Sequence, residues 1–191
     1  MSELKFVSPV TTEQLTTLNG ALTLTDVGST TKVLVRAGSK TAAAIHLATP
    51  FGRSQETTDG VLVCGTRPDE WTLYTSSRAA DVVIETIPDE GFVTVIDITH
   101  GRAMIRISGS SSPLALAKVC NIDFADDMTP DGAVFSASVA GVSCNLIRND
   151  QIEGCSYLLT CERSFGRYLF VALADAGIEF GFNPPEGWTL H

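Results

Sequence analysis

The chain has 191 residues, 44% of them apolar and 18% charged, which is enough for a packed core and too apolar for a disordered chain. Its 13 Lys and Arg stand against 22 Asp and Glu, a formal charge of -9. That balance leaves no broad basic face to neutralise phosphates, so neither nucleic acid nor an anionic membrane is expected as a partner.

In chain order, MSELKFVSPV carries Glu3 and Lys5 where a secretory signal needs an unbroken apolar run. Leu22 to Asp26 and Val33 to Arg36 are β-rich and predict strands. Ser39 is placed to cap a helix, KTAAAIHLA, that Pro50 ends. The polar FGRSQETTDG (51–60) predicts a loop; VLVCG and EWTLYT predict strands around a turn at Pro68. Ser76 or Ser77 then caps a second helix, RAADVVIETI, stopped by Pro88.

The second half takes the same steps. VTVIDIT and AMIRIS predict strands, and Ser111 or Ser112 caps a helix with Pro113 in its first turn, running to about Asn121. FADDMTPDG predicts a loop. AVFSASV and VSCNLIRN flank Ala140-Gly141 as a hairpin, and CSYLLTC is a strand. Ser164 caps the longest helix, through Phe180, with Phe165, Leu169, Ala172, Leu173 and Ala176 on one face. Arg167, Asp175 and Glu179 interrupt that segment, so it does not make a membrane span, and a soluble, cytoplasmic protein is expected.

The expected fold class is therefore α+β: two pseudo-repeated β-β-α-β-β-α halves, about 20–90 and 91–182, sharing one core in a single domain over 1–191, with an extended tail at 183–191. The sheets are expected to pair along their edges. Asp26 and Asp97 lie 71 positions apart, Trp71 and Tyr157 86 apart, and the register of the second strand is ambiguous between the copies.

Chemistry-bearing constellations are sparse. Cys64, Cys120, Cys144, Cys155 and Cys161 form no close pair and three sit in apolar runs, which points to reduced core thiols and to no metal site. His100 and the serines of GSSSP do not form a nucleophile elbow, and no phosphate-cradling glycine spacing occurs. His46 is expected on a core or interface helix face. Asp69 closes a turn and Trp71 alternates with Leu73 into the core. The tail FNPPEGWTLH places Trp188 either back on the domain or in a partner.

One stretch, VTVIDITHGRAMIRISGSSSPLALAKVCNID, resembles the opening of the folate-binding domain in the glycine-cleavage T-protein (aminomethyltransferase) family. RPDEWTLY and RSFGRYLFVALADAGIEFG are similar to segments of the gamma-subunit family of heterotetrameric sarcosine oxidase, and the resemblance spans roughly 15–182. Catalytic folate-binding relatives carry an acidic pair on the strand that here reads AGVSCNLI, and Cys144 and Asn145 stand in its place. The resemblance thus implies the fold without the chemistry: no catalytic, cofactor-binding or metal residue in this chain. It implies alpha, beta and delta subunits as partners, with FAD, FMN, NAD and tetrahydrofolate on those subunits. A stand-alone folate-binding aminomethyltransferase-like protein is the alternative. Partner-contact candidates are Phe51 and Arg53 in the first polar loop, Arg163 and Arg167 on the last helix, and Trp188.

Overall fold

Alternation in TKVLVRA sends Val33, Val35 and Ala37 to one side of a strand and Lys32, Leu34 and Arg36 to the other, and the same two-residue period runs through most of the chain. In the computed structural model, which describes residues 7–10, 14–152 and 154–184, this builds two antiparallel sheets with helices on their outer faces. After β1 (Gln14–Thr16), the first half runs β2 (Thr23–Asp26), β3 (Thr31–Ala37), α1 (Ala42–Leu47), β4 (Ser54–Glu56), β5 (Leu62–Arg67), β6 (Glu70–Thr75) and α2 (Ala80–Ile84). The second half runs β7 (Val93–Asp97), β8 (Arg102–Ser108), α3 (Ser112–Ala117), β9 (Val134–Val139), β10 (Val142–Arg148), β11 (Ser156–Glu162) and α4 (Gly166–Ala176).

Strand order is β1-β2-β8-β11-β10-β9 in one sheet and β4-β5-β6-β3-β7 in the other. The halves are therefore interlocked, because each lends its first strand to the other's sheet: β2 pairs with β8, and β7 with β3. The sheets were expected to meet along their edges; instead they face each other, and Leu62, Cys64 and Tyr74 of one pack against Met104, Val134, Ile147 and Leu158 of the other. Among the described residues, a bridge from Arg53 to Ala133 beside β4 and β9 is the edge contact between them.

The expected single core is replaced by three hydrophobic clusters. One lies between the first sheet and α3 and α4, a second between the second sheet and α1 and α2, and the third between the sheets. Two clusters lie on outer faces because each sheet has its own pair of helices to cover one side, leaving only the inner faces to be shared.

Register settles the equivalence of the copies. Asp97 faces Val33 and Asp26 faces Ile105, so Lys32 corresponds to Met104. Leu73 faces Val33 and Leu159 faces Ile105, which makes Trp71 equivalent to Tyr157, the 86-residue spacing seen in the sequence. The two Asp residues do the same job: Asp26 accepts from the Gly28 N–H at 2.9 Å and Asp97 from the Thr99 N–H at 2.8 Å, each closing the turn after its strand.

Local caps differ from expectation. Thr41, not Ser39, caps α1, and Ala48 ends it in the left-handed region. Neither Ser76 nor Ser77 caps α2, which shrinks to five residues, and α3 stops at Ala117, short of Asn121. Ser112 Oγ is spent on the Gly109 carbonyl at 2.7 Å. The last helix is entered through a 3-10 turn, Arg163–Phe165, and ends at Ala176. Leu169, Ala172, Leu173 and Ala176 are buried as expected, but Phe165, at the N-cap, is 50% exposed and does not join that face. The loop at 51–60 contains β4, a polar edge strand that gives the first half the third strand credited only to the second.

Candidate functional site

The inner faces of the sheets are apolar at the centre and polar at the mouths. One mouth is a cleft of about 240 Å³ lined by Lys32, Arg36, Glu70, Arg102, Asn145 and Thr160. β3 supplies Lys32 and Arg36 from its inward face, and β10 supplies Asn145, across from Thr160 of β11. Glu70 is 7% exposed and is held by Arg36, whose Nε and Nη2 both lie 2.7 Å from Oε2, and by the Thr66 hydroxyl, which donates to Oε1 at 3.1 Å. Lys32 is fully buried, and its Nζ donates to the Gly28 and Thr30 carbonyls at 2.7 Å each. Burial pulls its pKa from 10.5 to about 8, against the opposing pull of Asp26 and Asp97.

The repeat makes a second mouth, and there Lys32 and Asn145 have apolar equivalents among other polar lining residues. Met104 stands in the place of Lys32 and Leu62 in the place of Asn145, beside Arg106, which donates to Ser156 Oγ at 2.6 Å and to Asn149 Oδ1 at 3.1 Å. The lysine and the amide of the first mouth are thus a property of particular residues and not of the fold.

Asn145 and Cys144 point to opposite sides of β10. Asn145 Oδ1 accepts from Ser136 Oγ at 3.0 Å, and an amide cannot take up or release a proton in the working range. Cys144 belongs to the cluster under α3 and α4, where its hydrogen bond to Cys161 and its burial push the thiol up. Neither can do a carboxylate's work as proton acceptor or cation stabiliser. All five cysteines are free, four buried and Cys155 half-buried. Among the described residues no three His, Cys, Asp or Glu side chains are placed to hold a metal ion. Among the described residues no helix is long and apolar enough to cross a membrane. Trp71 and Leu73 are buried as expected, with Trp71 Nε1 donating to the Thr49 carbonyl at 2.7 Å, whereas His46 is exposed on α1.

The contact candidates fall into separate places. Phe51 is 61% exposed and Arg53 is exposed in the segment that bridges to Gly65 and Ala133. Arg163 is half-buried and donates to the Val7 carbonyl, while Arg167, one turn on, is exposed. Trp188 lies outside the described residues. Lys32 and the Arg36–Glu70 pair escaped the sequence reading. Their signal was present in TKVLVRA, where two cations share one face of a strand whose other face is Val, Val and Ala.

No family model matches the chain. The sarcosine oxidase subunit gamma of Corynebacterium sp. (strain P-1) is 26% identical over 175 residues, covering 86% of this chain and 84% of that protein. Among solved structures, a chain of the heterotetrameric sarcosine oxidase from Corynebacterium sp. U-96, in complex with pyrrole 2-carboxylate, superposes with a TM-score of 0.73 at 23% identity, over 86% of this chain and 87% of that one. Aminomethyltransferase T of the glycine cleavage system from Bartonella henselae gives 0.61 at 14% identity, over 78% of this chain and 44% of that one. The chain is a homologue of the sarcosine oxidase gamma subunit, with the mixed α+β, two-sheet fold that also occurs in aminomethyltransferase T.

Proposed function

We propose that this chain is a non-catalytic, gamma-type subunit of a heterotetrameric, sarcosine oxidase-like flavin amine oxidase of one-carbon metabolism, assembled in the cytoplasm with alpha, beta and delta subunits. The observation that carries this reading is the end-to-end match to a gamma subunit, 86% of one chain on 84% of the other. The amide at position 145 supports it, because the cleft is left without a titratable carboxylate on β10. FAD, FMN, NAD and tetrahydrofolate belong on the partner subunits in this reading.

The test is co-expression with the large flavoprotein subunits, followed by affinity capture, with absorbance and calorimetry on the isolated chain. The expected outcome is capture of a yellow complex, and a free chain that is colourless and releases no measurable heat with a reduced folate. Micromolar folate binding that is lost in Asn145→Ala would instead favour the stand-alone aminomethyltransferase-like alternative.

A further inference from the structure

Strand exchange makes β2 and β7 equivalent, yet their outer edges are treated differently. The Val27 N–H donates to the Met104 carbonyl, so Thr23, Thr25 and Val27 turn their backbone groups toward β8 while Leu22 and Leu24 turn theirs outward. β1 meets those outward groups: Leu15 pairs with Leu24, and the Thr17 N–H donates to the Leu22 carbonyl at 3.0 Å. In β7 the Phe92 carbonyl accepts from Gly38 and the Ile98 N–H donates to the Lys32 carbonyl, so Val93, Val95 and Asp97 face outward. Among the described residues no strand meets them.

Side chains show the same asymmetry. Leu22 and Leu24 are fully buried and Leu15 packs on their cluster. Their equivalents Val93 and Val95 are only half-buried, and with Ile84, Ile87 and Pro88 they border a shallow groove of about 660 Å³. Phe92 and Ile96 are exposed on the opposite face of the strand. Edge strands are ordinarily blunted by Pro, Lys or a bulge, and Val93–Asp97 has none of these. From Ala79 to Gly101 the chain carries Asp81, Glu85, Asp89, Glu90 and Asp97 and no Lys or Arg.

We propose that β7 is a docking edge. An extended segment of a partner subunit, with a large aliphatic residue between basic ones, adds antiparallel to it and places the aliphatic side chain in the groove beside Val95, as Leu15 sits beside Leu24. The acidic surround selects a basic segment and disfavours a second copy, which would bring two sets of the same five acidic residues together. The identity of the partner rests on the subunit reading above.

The Val95 N–H points away from β3, so proline there removes the docking donor and leaves the β3–β7 bonds in place. Val95→Lys, which keeps the amide and obstructs the groove, serves where proline impairs folding. Each variant and the full-length wild type would be co-expressed with the large subunits, and backbone hydrogen exchange followed in the free chain and the complex. Expected are an unchanged melt, at least tenfold weaker capture of the variants, and protection of the Val95 and Asp97 amides on assembly. Equal capture of wild type and Val95→Lys, with those amides still exchanging, overturns the docking edge and leaves the subunit reading standing. A wild type that captures no flavoprotein subunit overturns both. Self-association abolished by Val95→Lys would give the edge to a second copy, and Val95 protection in the free chain lost on deleting residues 1–6 would give it to the chain's own N-terminus; either overturns the partner segment.

Discussion

Lys32 and Met104 hold equivalent positions on the inner faces of the two sheets, and only Lys32 must be kept charged without water. Its folded pKa of about 8 lies below the ordinary 10.5. Between those values the unfolded chain holds a proton that the folded chain has released, so stability rises with pH across the window, and below pH 8 the full penalty is present. Buried thiols and phenols act in the opposite sense. Burial pushes Cys64 and Tyr74 up, so above their ordinary values the unfolded chain loses protons that the folded chain retains, and stability falls. The difference between wild type and Lys32→Met cancels those common contributions. It is expected to move in favour of the wild type by ~1–3 kcal/mol from pH 8 to 10.5 in denaturant titrations. A difference that stays flat across that range would show that Lys32 is not the titrating group.

At the scale of elements, the glycines that end the second strand of each copy look interchangeable in the sequence and are not. Gly109 has φ +108, and a Cβ there would meet the Ala21 carbonyl oxygen at 2.4 Å; at Gly38 it would meet only Thr41 Cγ2, at 3.7 Å. The cause is one extra residue in the turn between β7 and β8, which moves β8 by one position, so that Gly109 aligns with Ala37. Gly109→Ala is therefore expected to cost about 2 kcal/mol or more and Gly38→Ala less than about 1, as measured by chemical denaturation. The same example shows what the sequence could and could not carry. β3, β6, β8 and β10 were legible because their apolar residues alternate, β11 because it is a continuous apolar run buried on both faces, and the Ala140-Gly141 hairpin because both positions need the left-handed region, at φ 49 and 80. β4 was not, since an edge strand reading Ser-Gln-Glu buries nothing. Helix ends were misplaced because several Ser hydroxyls near them bond within turns or to other loops in place of capping. The amide at 145 was legible as a substitution. The cleft around it was not, because it needs Lys32 and Arg36 from a strand more than a hundred residues away in sequence.

For the whole molecule, strand exchange predicts how the chain divides. Leu22 and Leu24 of β2 are fully buried in the cluster built mainly by the second half, and β7 seals the second sheet beside β3. A fragment of residues 91–191 lacks β2, and a fragment of residues 1–90 lacks β7. Burying one aliphatic side chain contributes about 1.5–3 kcal/mol, so losing the two leucines costs the 91–191 fragment ~3–6 kcal/mol, a large share of the ~5–15 kcal/mol that a domain has in hand. The fragment also exposes the inner apolar face of Met104, Ile147 and Leu158, which in the intact chain packs on the other sheet. Neither fragment is expected to show a cooperative melt alone, and mixing the two after co-expression is expected to restore one near that of the intact chain, because all three clusters then reassemble. Circular dichroism melts of each fragment and of the pair decide the matter. If residues 91–191 melt cooperatively alone, the second half is self-sufficient and the exchange of first strands is dispensable to the fold.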